Sequence, residues 1–313
     1  MANESLAVET SSSGAPPDSP ALTPNPVEAK VDSQPEHWDL IMRPRAGWFD
    51  WRLRELWEHR DLLRLLVWRD FVTLHKQTIL GPLWHIINPL ITALTFSLVF
   101  GRVVKLPTDG VPPFLFYMAG TVAWNYFTAC IFKTTNSLAG NAGLFGKVYF
   151  HRFVVPLSAV ISSLIAFGIQ CAMLGIMVGI DMLRGATIHP NLWLLCFPLL
   201  VAMLAGYGLS IGLICSALTT RYRDLAQLVG FSVQIMMFAT PIIYPVSFVN
   251  PNYRWVVDCN PLAAIIETFR FAWLGQGAPE PLSLLYSALI LVALFIVGLT
   301  LFTRVERTFM DTV

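Results

Sequence analysis

The chain has 313 residues, of which 55% are hydrophobic and only 13% are charged. Average soluble domains carry about twice that charged fraction, so the composition argues against a soluble protein. The formal net charge of +1 gives no bulk preference for an acidic partner. No basic run with interleaved aromatic residues indicates nucleic-acid binding. The five cysteines form no CxxC pair and predict neither a metal site nor a disulfide framework.

Two segments precede the apolar part of the chain. Residues 1–37 lack the regions of a signal peptide, and their Pro-rich, polar composition predicts a disordered cytoplasmic tail. Residues 38–78 are predicted to be a cytoplasmic segment, in which 51–76 show apolar side chains at helical 3–4–7 spacing. This spacing predicts an amphipathic helix, which lies either in the membrane interface or against another domain. Its position before the first apolar stretch favours the interface.

Long stretches without charge define the rest of the chain. A bilayer core about 30 Å thick is crossed by about 20 apolar residues in a helix. Because six stretches reach that length, the sequence predicts an all-α membrane protein with six transmembrane helices over residues 79–310. The predicted spans are 79–100, 111–132, 153–180, 191–218, 225–249 and 281–303.

The distribution of Lys and Arg predicts the orientation of these spans. An even number of spans places both termini on one side of the membrane. That side would hold 16 of the 21 basic residues. Because basic residues concentrate on the cytoplasmic side, both termini are predicted to be cytoplasmic.

Residues 250–274, between the last two predicted spans, are apolar but interrupted by charges. They are too short and too charged for a further span. Pro241 and Pro245 break the preceding helix. Two alternatives remain: a pair of short helices that re-enter the membrane from its outer face, or an interfacial loop with an amphipathic helix.

No pattern of enzymatic residues occurs in the sequence. There is no HExxH or GxSxG motif and no carboxylate pair inside a span. We therefore predict no catalytic residue, no metal site and no cofactor. His85, in the first predicted span, is either a proton carrier or a polar residue satisfied at a helix contact.

Four motifs together resemble the permease subunit of bacterial ABC transporters that export surface polysaccharides such as O-antigen, capsule or teichoic acid. The motifs are Phe71 to Trp84 (FVTLHKQTILGPLW), Lys147 to Phe150 followed by Arg152, Arg221 to Asp224 (RYRD), and Thr240 to Pro245 (TPIIYP). The resemblance covers about residues 50–310. It departs from the family at His151, where a proline usually precedes the arginine.

The resemblance implies a subunit without its own nucleotide site in the bacterial inner membrane. Two identical chains would pair with two copies of a separate cytoplasmic ABC ATPase. The substrate would be a polysaccharide linked to undecaprenyl diphosphate. The helix at 51–76 would be the interface helix of the family, and residues 250–274 its outer gate helices.

The resemblance and the residue types also give candidate site residues. Residues 139–152 would form a coupling helix in a cleft of the ATPase, and 219–225 a second contact; their candidates are Gly143, Leu144, Phe145, Lys147, Tyr149, Phe150, Arg152, Arg221, Arg223 and Asp224. Aromatic rings stack on sugar faces, so the candidate channel-lining residues are Phe96, Phe100, Tyr117, Trp124, Tyr126, Phe127, Phe231, Phe238 and Tyr244. The outer-gate candidates are Pro241, Pro245, Trp255, Pro261, Glu267 and Arg270.

Two other functions remain open. An exporter of another substrate, such as a lipid or a drug, would have the same bulk aromatic content. A polytopic enzyme acting on lipid-linked sugars would need acidic or histidine residues at a membrane face. The outer-side carboxylates form no recognisable motif of that kind.

Overall fold

The computed structural model describes residues 57–76, 80–145, 150–185, 188–222, 224–277 and 279–308. The predicted tail and residues 51–56 of the predicted amphipathic helix lie outside these ranges. So do Lys147, Tyr149 and Arg223, and the side chain of Arg221 is also not described. Every regular element in the described ranges is helical, which confirms the predicted all-α class.

Eleven α-helices are present in the described ranges, numbered here in chain order. They are α1 (Arg60–His75), α2 (Trp84–Phe96), α3 (Pro113–Thr135), α4 (Ser137–Gly140), α5 (Ala142–Phe145), α6 (Val154–Leu183), α7 (Phe197–Arg221), α8 (Leu225–Ala239), α9 (Arg254–Asp258), α10 (Pro261–Leu274) and α11 (Pro281–Thr308). A 3-10 turn, Gly81–Leu83, leads into α2, which continues as the π-helical segment Ser97–Val103. A second 3-10 segment, Leu192–Cys196, leads into α7.

Five helical segments are long and apolar enough to cross a membrane. They are Gly81–Val103, Pro113–Thr135, Val154–Leu183, Leu192–Thr220 and Pro281–Val305. Each overlaps one of the predicted spans. The remaining predicted span, 225–249, contains the shorter helix α8, which ends before Pro241. Its 15 residues extend about 23 Å, less than the thickness of a bilayer core.

The helix α1 lies against α6 through one apolar face. Leu66 is fully buried, and Leu62 and Leu63 pack on the core beside it. Leu65 and Trp68 on other faces remain exposed. The helix therefore packs on the helical bundle of its own chain while leaving apolar surface uncovered.

The central element of the bundle is α3, which packs against α6 and α7, while α7 also packs along α11. Most side chains of α3 are buried, including the large Phe116, Tyr117 and Phe127. Helix α3 begins at Pro113, where the missing N–H of proline costs nothing because the first turn has no intrahelical acceptor.

Glycines bring α7 close to its two neighbours. A Cβ on Gly212 would lie 2.5 Å from Cβ of Thr134 on α3, and one on Gly208 would collide with Cβ of Cys130. On α11, a Cβ on Gly298 would lie 2.7 Å from the carbonyl oxygen of Ser210. Gly208 and Gly212 are spaced as GxxxG, a pattern with which membrane helices approach closely. Close contact, rather than burial from water, therefore stabilises the α3–α7–α11 core.

This close packing predicts a specific sensitivity to added volume. We expect Gly212→Ala to lower the free energy of unfolding by about 1–3 kcal/mol, because the new methyl group overpacks the contact with Thr134. The measurement is the Tm of the purified full chain in detergent. The matched control is Gly168→Ala on α6, where a Cβ meets nothing within 4 Å. An equal Tm for the two variants would contradict the proposed packing.

Candidate functional site

The end of α8 leaves backbone groups without helical partners. The helix stops at Ala239, Thr240 is extended, and Pro241 follows. Proline has no N–H to continue the hydrogen-bond ladder. At membrane depth, such freed carbonyl groups need donors from elsewhere in the protein.

Asn260 provides the first of these donors. Its side-chain Nδ2 donates to the carbonyl oxygen of Ala239 at 3.2 Å and to Oγ1 of Thr240 at 2.9 Å. Its Oδ1 accepts from the backbone N–H of Leu262 at 3.0 Å, so Asn260 also caps α10. Pro261 occupies the first turn of α10, and Gly275 ends the helix with φ +76°.

Arg270 on α10 provides the second donor. One guanidinium nitrogen donates to the carbonyl oxygen of Pro241 at 2.7 Å, and contacts that of Ile242 at 3.4 Å. The guanidinium carbon lies 3.8 Å from the ring centroid of Phe116 on α3. Arg270 is 5% exposed, so the carbonyl dipoles and the aromatic face replace its lost hydration. A Cβ on Gly120 would lie 3.2 Å from the same guanidinium.

We call the contacts of Thr240, Pro241, Asn260 and Arg270 the α8–α10 junction. Its electrostatics are set by burial. Burial lowers the pKa of Arg270 to about 10, so the side chain is cationic at neutral pH. Burial raises the pKa of the Glu267 carboxyl, and the charge of Arg270 opposes that shift. In the described ranges no carboxylate forms an ion pair with Arg270.

A hydrogen-bond chain joins the junction to the rigid core. The hydroxyl of Ser287 on α11 donates to the carbonyl oxygen of Pro261 at 2.8 Å. The hydroxyl of Tyr207 on α7 donates to the carbonyl oxygen of Ser287 at 2.6 Å. Tyr207 is fully buried. The start of α10 is therefore fixed to α7, α8 and α11 together.

A cavity of about 290 Å³ lies beside the junction. The charged residues that line it are mostly acidic. They are the four carboxylates Asp109, Asp258, Glu267 and Glu280 and one cation, Arg254. In the described part of the chain, no group of three His, Cys, Asp or Glu could hold a metal ion. Of the predicted gate residues, Pro241, Pro245 and Arg270 are buried, Pro261 and Glu267 are half-buried, and Trp255 is exposed.

The predicted coupling segment contains the two short helices α4 and α5. Phe145 and Phe150 are buried in this chain with ring centroids 5.7 Å apart, and Arg152 lies over Phe145 at 5.5 Å. Gly143 is exposed and Leu144 is half-buried. Asp224, in the other predicted contact, is exposed just before α8. The structure thus leaves only part of the predicted set accessible to a partner.

The predicted coupling segment is also joined to α1. The guanidinium of Arg69 donates to Oδ1 of Asn141 at 3.1 Å, and to Asp70 at 2.8 Å. This contact is not predictable from the sequence pattern, because the two residues are 72 positions apart.

The candidate channel-lining aromatics divide into two groups. Tyr117, Trp124, Tyr126 and Phe127 on α3 are buried inside this single chain. Phe231 and Phe238 on α8 are 63% and 56% exposed, and Phe96, Phe100 and Tyr244 are half-buried. Phe96 and Phe100 pack with Tyr117 at ring-centroid distances of 6.2 and 6.5 Å.

Asn260 is the junction residue that sequence reasoning missed. The signal that could have found it is an Asn-Pro pair at the start of an apolar run that ends at glycine, a pattern of helix start and stop. Ser287 and Tyr207 carried no comparable signal, because hydroxyl residues are common in membrane helices and their partners lie far away in sequence.

These features define a polytopic helical membrane protein whose long spans are joined by ordered, partly buried polar segments. The family profile of ABC-2 type transporters matches residues 61–274, about two thirds of the chain. The chain therefore belongs to the ABC-2 type transporter membrane family. This confirms the family predicted from the four motifs.

This chain matches several curated relatives over nearly their whole length. The O-antigen export system permease protein RfbA of Klebsiella pneumoniae is 29% identical over 253 residues, 80% of this chain and 94% of the relative. The RfbA protein of Myxococcus xanthus is 25% identical over 264 residues, 83% of this chain and 98% of the relative. The polysialic acid transport protein KpsM of Escherichia coli is 23% identical, covering 74% of this chain and 89% of the relative.

The junction predicts a local effect of removing Arg270. We expect Arg270→Leu to release the turn at 240–245, because it removes a charged hydrogen bond worth about 2 kcal/mol and leaves a carbonyl unpaired. Amide hydrogen exchange over 240–262 should become roughly thirtyfold faster. Arg254→Leu is the control, since its ion pairs of 3.7 and 3.8 Å are exposed. Equal exchange in both variants would contradict the role of Arg270.

Proposed function

We propose that the chain is the membrane-spanning subunit of an ATP-driven exporter that moves a lipid-linked surface polysaccharide out of the cytoplasm. The observation that carries the proposal is the match to O-antigen export permeases over 80% of this chain and 94% of the relative. A further relative, named as a polysialic acid transport protein, also points to a polysaccharide substrate. These matches favour a polysaccharide over the drug or lipid alternative.

In this proposal the chain crosses the bacterial inner membrane six times, and both termini lie in the cytoplasm. Helix α8 and the turn after it form the fifth crossing. The concentration of 16 of 21 basic residues on one side supports the orientation. On this topology the junction and the acidic cavity lie at the outer face, as the gate, and α4 and α5 lie in the cytoplasm.

In the proposed complex a separate ABC ATPase binds and hydrolyses ATP, and this chain performs no covalent chemistry and holds no cofactor. Two copies of the ATPase contact two copies of this chain at 139–152 and 219–225. Gly143, Leu144 and Asp224 are accessible for that contact. The Arg69–Asn141 bond then transmits movement of the coupling segment to α1.

The second copy of the chain lies against α8. Only Val233 of this helix is buried, whereas Leu228, Phe231, Ile235 and Phe238 form an exposed stripe. Irregular backbone follows the helix, and such backbone at membrane depth is found against protein or a water-filled path rather than against lipid. The Phe231 and Phe238 rings then face the conduit or the partner copy, while the buried α3 aromatics stabilise each chain.

Export in cells tests the proposed function. Deleting the gene is expected to remove surface polysaccharide and to accumulate lipid-linked glycan inside the cell, and the wild-type chain should restore both. Accumulation of unlinked sugar precursors instead would indicate an enzyme and contradict the exporter.

Charge reversal tests the ATPase contact. We expect the double variant Arg221→Glu, Asp224→Arg to lose most export and most co-purification of the ATPase, because it inverts a pair of charged docking groups. Arg184→Glu is the control, since Arg184 is exposed and lies on the predicted outer side. Unchanged export and unchanged co-purification in the double variant would exclude this contact.

Cysteine cross-linking tests the proposed dimer face. In a background with the exposed Cys259 replaced by serine, Phe231→Cys or Phe238→Cys should give dimers in native membranes on oxidation. Leu289→Cys on α11, which is 64% exposed, should remain monomeric. Dimers formed equally by all three variants, or by Leu289→Cys alone, would contradict a partner at α8.

A further inference from the structure

A polar cavity of about 140 Å³ lies between α1, α2, α3 and α6, apart from the α8–α10 junction. Its polar lining includes His85, Asn125, Tyr126, Lys133 and Gln170. Such a concentration of polar side chains among membrane helices is costly and marks a functional site by default.

Lys133 gives the cavity a positive charge. Its ammonium donates to Oγ of Ser162 at 3.3 Å, and in the described ranges no ion pair joins it to a carboxylate. The charge of Asp70 acts on Lys133, but Asp70 is itself paired with Arg69 at 2.8 Å. The cation therefore has capacity for a further anionic partner.

Two deeper groups in the cavity also lack good partners. The Oε1 atom of Gln170, a residue only 8% exposed, is shielded from solvent and makes no hydrogen bond. The hydroxyl of Tyr126 is equally shielded and has only a weak contact with the Cys130 thiol. Because buried polar groups are normally hydrogen-bonded, the Tyr126 hydroxyl needs an acceptor, and Oε1 of Gln170, which can only accept, needs a donor.

An apolar groove continues from the cavity along α1 and α6. Its volume is about 450 Å³, and it shares Phe71 and Ile165 with the polar cavity. Its lining is almost entirely apolar, with Leu63, Val67 and Trp68 from α1. A charged cavity that opens into an apolar groove fits a ligand with a polar head and a hydrocarbon chain.

We propose that this cavity binds the phosphate group of a resident phospholipid from the leaflet beside α1. Lys133 binds the phosphate, the Tyr126 hydroxyl donates to an oxygen of a glycerol ester, Oε1 of Gln170 accepts from a hydroxyl of the lipid head group, and an acyl chain follows the groove. Basic pockets between membrane helices bind lipid head groups in this way. The cavity is below the roughly 300 Å³ of a small-molecule site, so it admits a phosphate but not a phosphate that carries a sugar chain.

The bound lipid would hold α1 on α6, where the groove leaves a gap in the packing. This inference concerns a structural lipid and does not depend on polysaccharide export. Its failure would leave the proposed function untouched.

Native mass spectrometry of the purified full chain tests the proposal with phosphatidylglycerol as the probe. We expect Lys133→Gln to weaken binding about tenfold or more, because one charged hydrogen bond is lost. Lys133→Arg should retain binding, since it keeps the charge. Arg64→Gln, at the exposed rim of the groove, should also retain it. Diacylglycerol, which lacks phosphate, should bind no variant.

Four results would overturn the proposal. They are equal phosphatidylglycerol binding by wild type and Lys133→Gln, equal binding of diacylglycerol, displacement of the phospholipid by millimolar inorganic phosphate, or its displacement by undecaprenyl diphosphate. The third would define a free-anion site, and the fourth a substrate site. An unchanged Tm of Lys133→Gln in lipid-free detergent, measured beside wild type, separates loss of the site from loss of the fold.

Discussion

The break in α8 at Pro241 is the constraint on which the arrangement of α8 and α10 depends. It frees carbonyl groups from the hydrogen-bond ladder of the helix, and α10 supplies donors for them through Asn260 and Arg270. The requirement is mutual, because the buried guanidinium of Arg270 also needs acceptors. It finds them in the carbonyl of Pro241 and the ring of Phe116. Either partner alone would be a costly buried polar group, whereas together they fix the position of α10.

Long elements of this fold could be predicted from the sequence because their cause is local. A charge-free stretch of about 20 residues is enough to predict a membrane helix. Five of the predicted stretches each contain a helix long and apolar enough to cross a membrane. Within the stretch 225–249 the helix ends at Ala239, because Pro241 cannot continue the hydrogen-bond ladder, and the crossing of the membrane by this stretch stays a prediction. The gate segment contains two short helices, α9 and α10, but their depth relative to a membrane remains a prediction.

Side-chain contacts were much less predictable, because their partners lie far apart in sequence. Arg270 was a candidate from its charge alone, but its acceptor 29 residues earlier was not foreseeable. The candidate aromatic residues of α3 and α8 look alike by composition, yet those of α3 are buried and those of α8 are exposed. Gly208 and Gly212 have a recognisable spacing, whereas the polar cavity around Lys133 forms only where four helices meet.

The packing also separates the rigid parts of the chain from those able to move. Helices α3, α7 and α11 approach through glycines and are tied by the Tyr207–Ser287 bond, so they resist displacement. Helix α8 has one buried side chain, and its far end is held by the few polar contacts of the junction. Because a weakly packed helix can shift at low energetic cost, α8 is, in the proposed dimer, the element through which movement of the predicted coupling segments would widen a path between the two copies. The junction would then limit how far the outer end of that path opens.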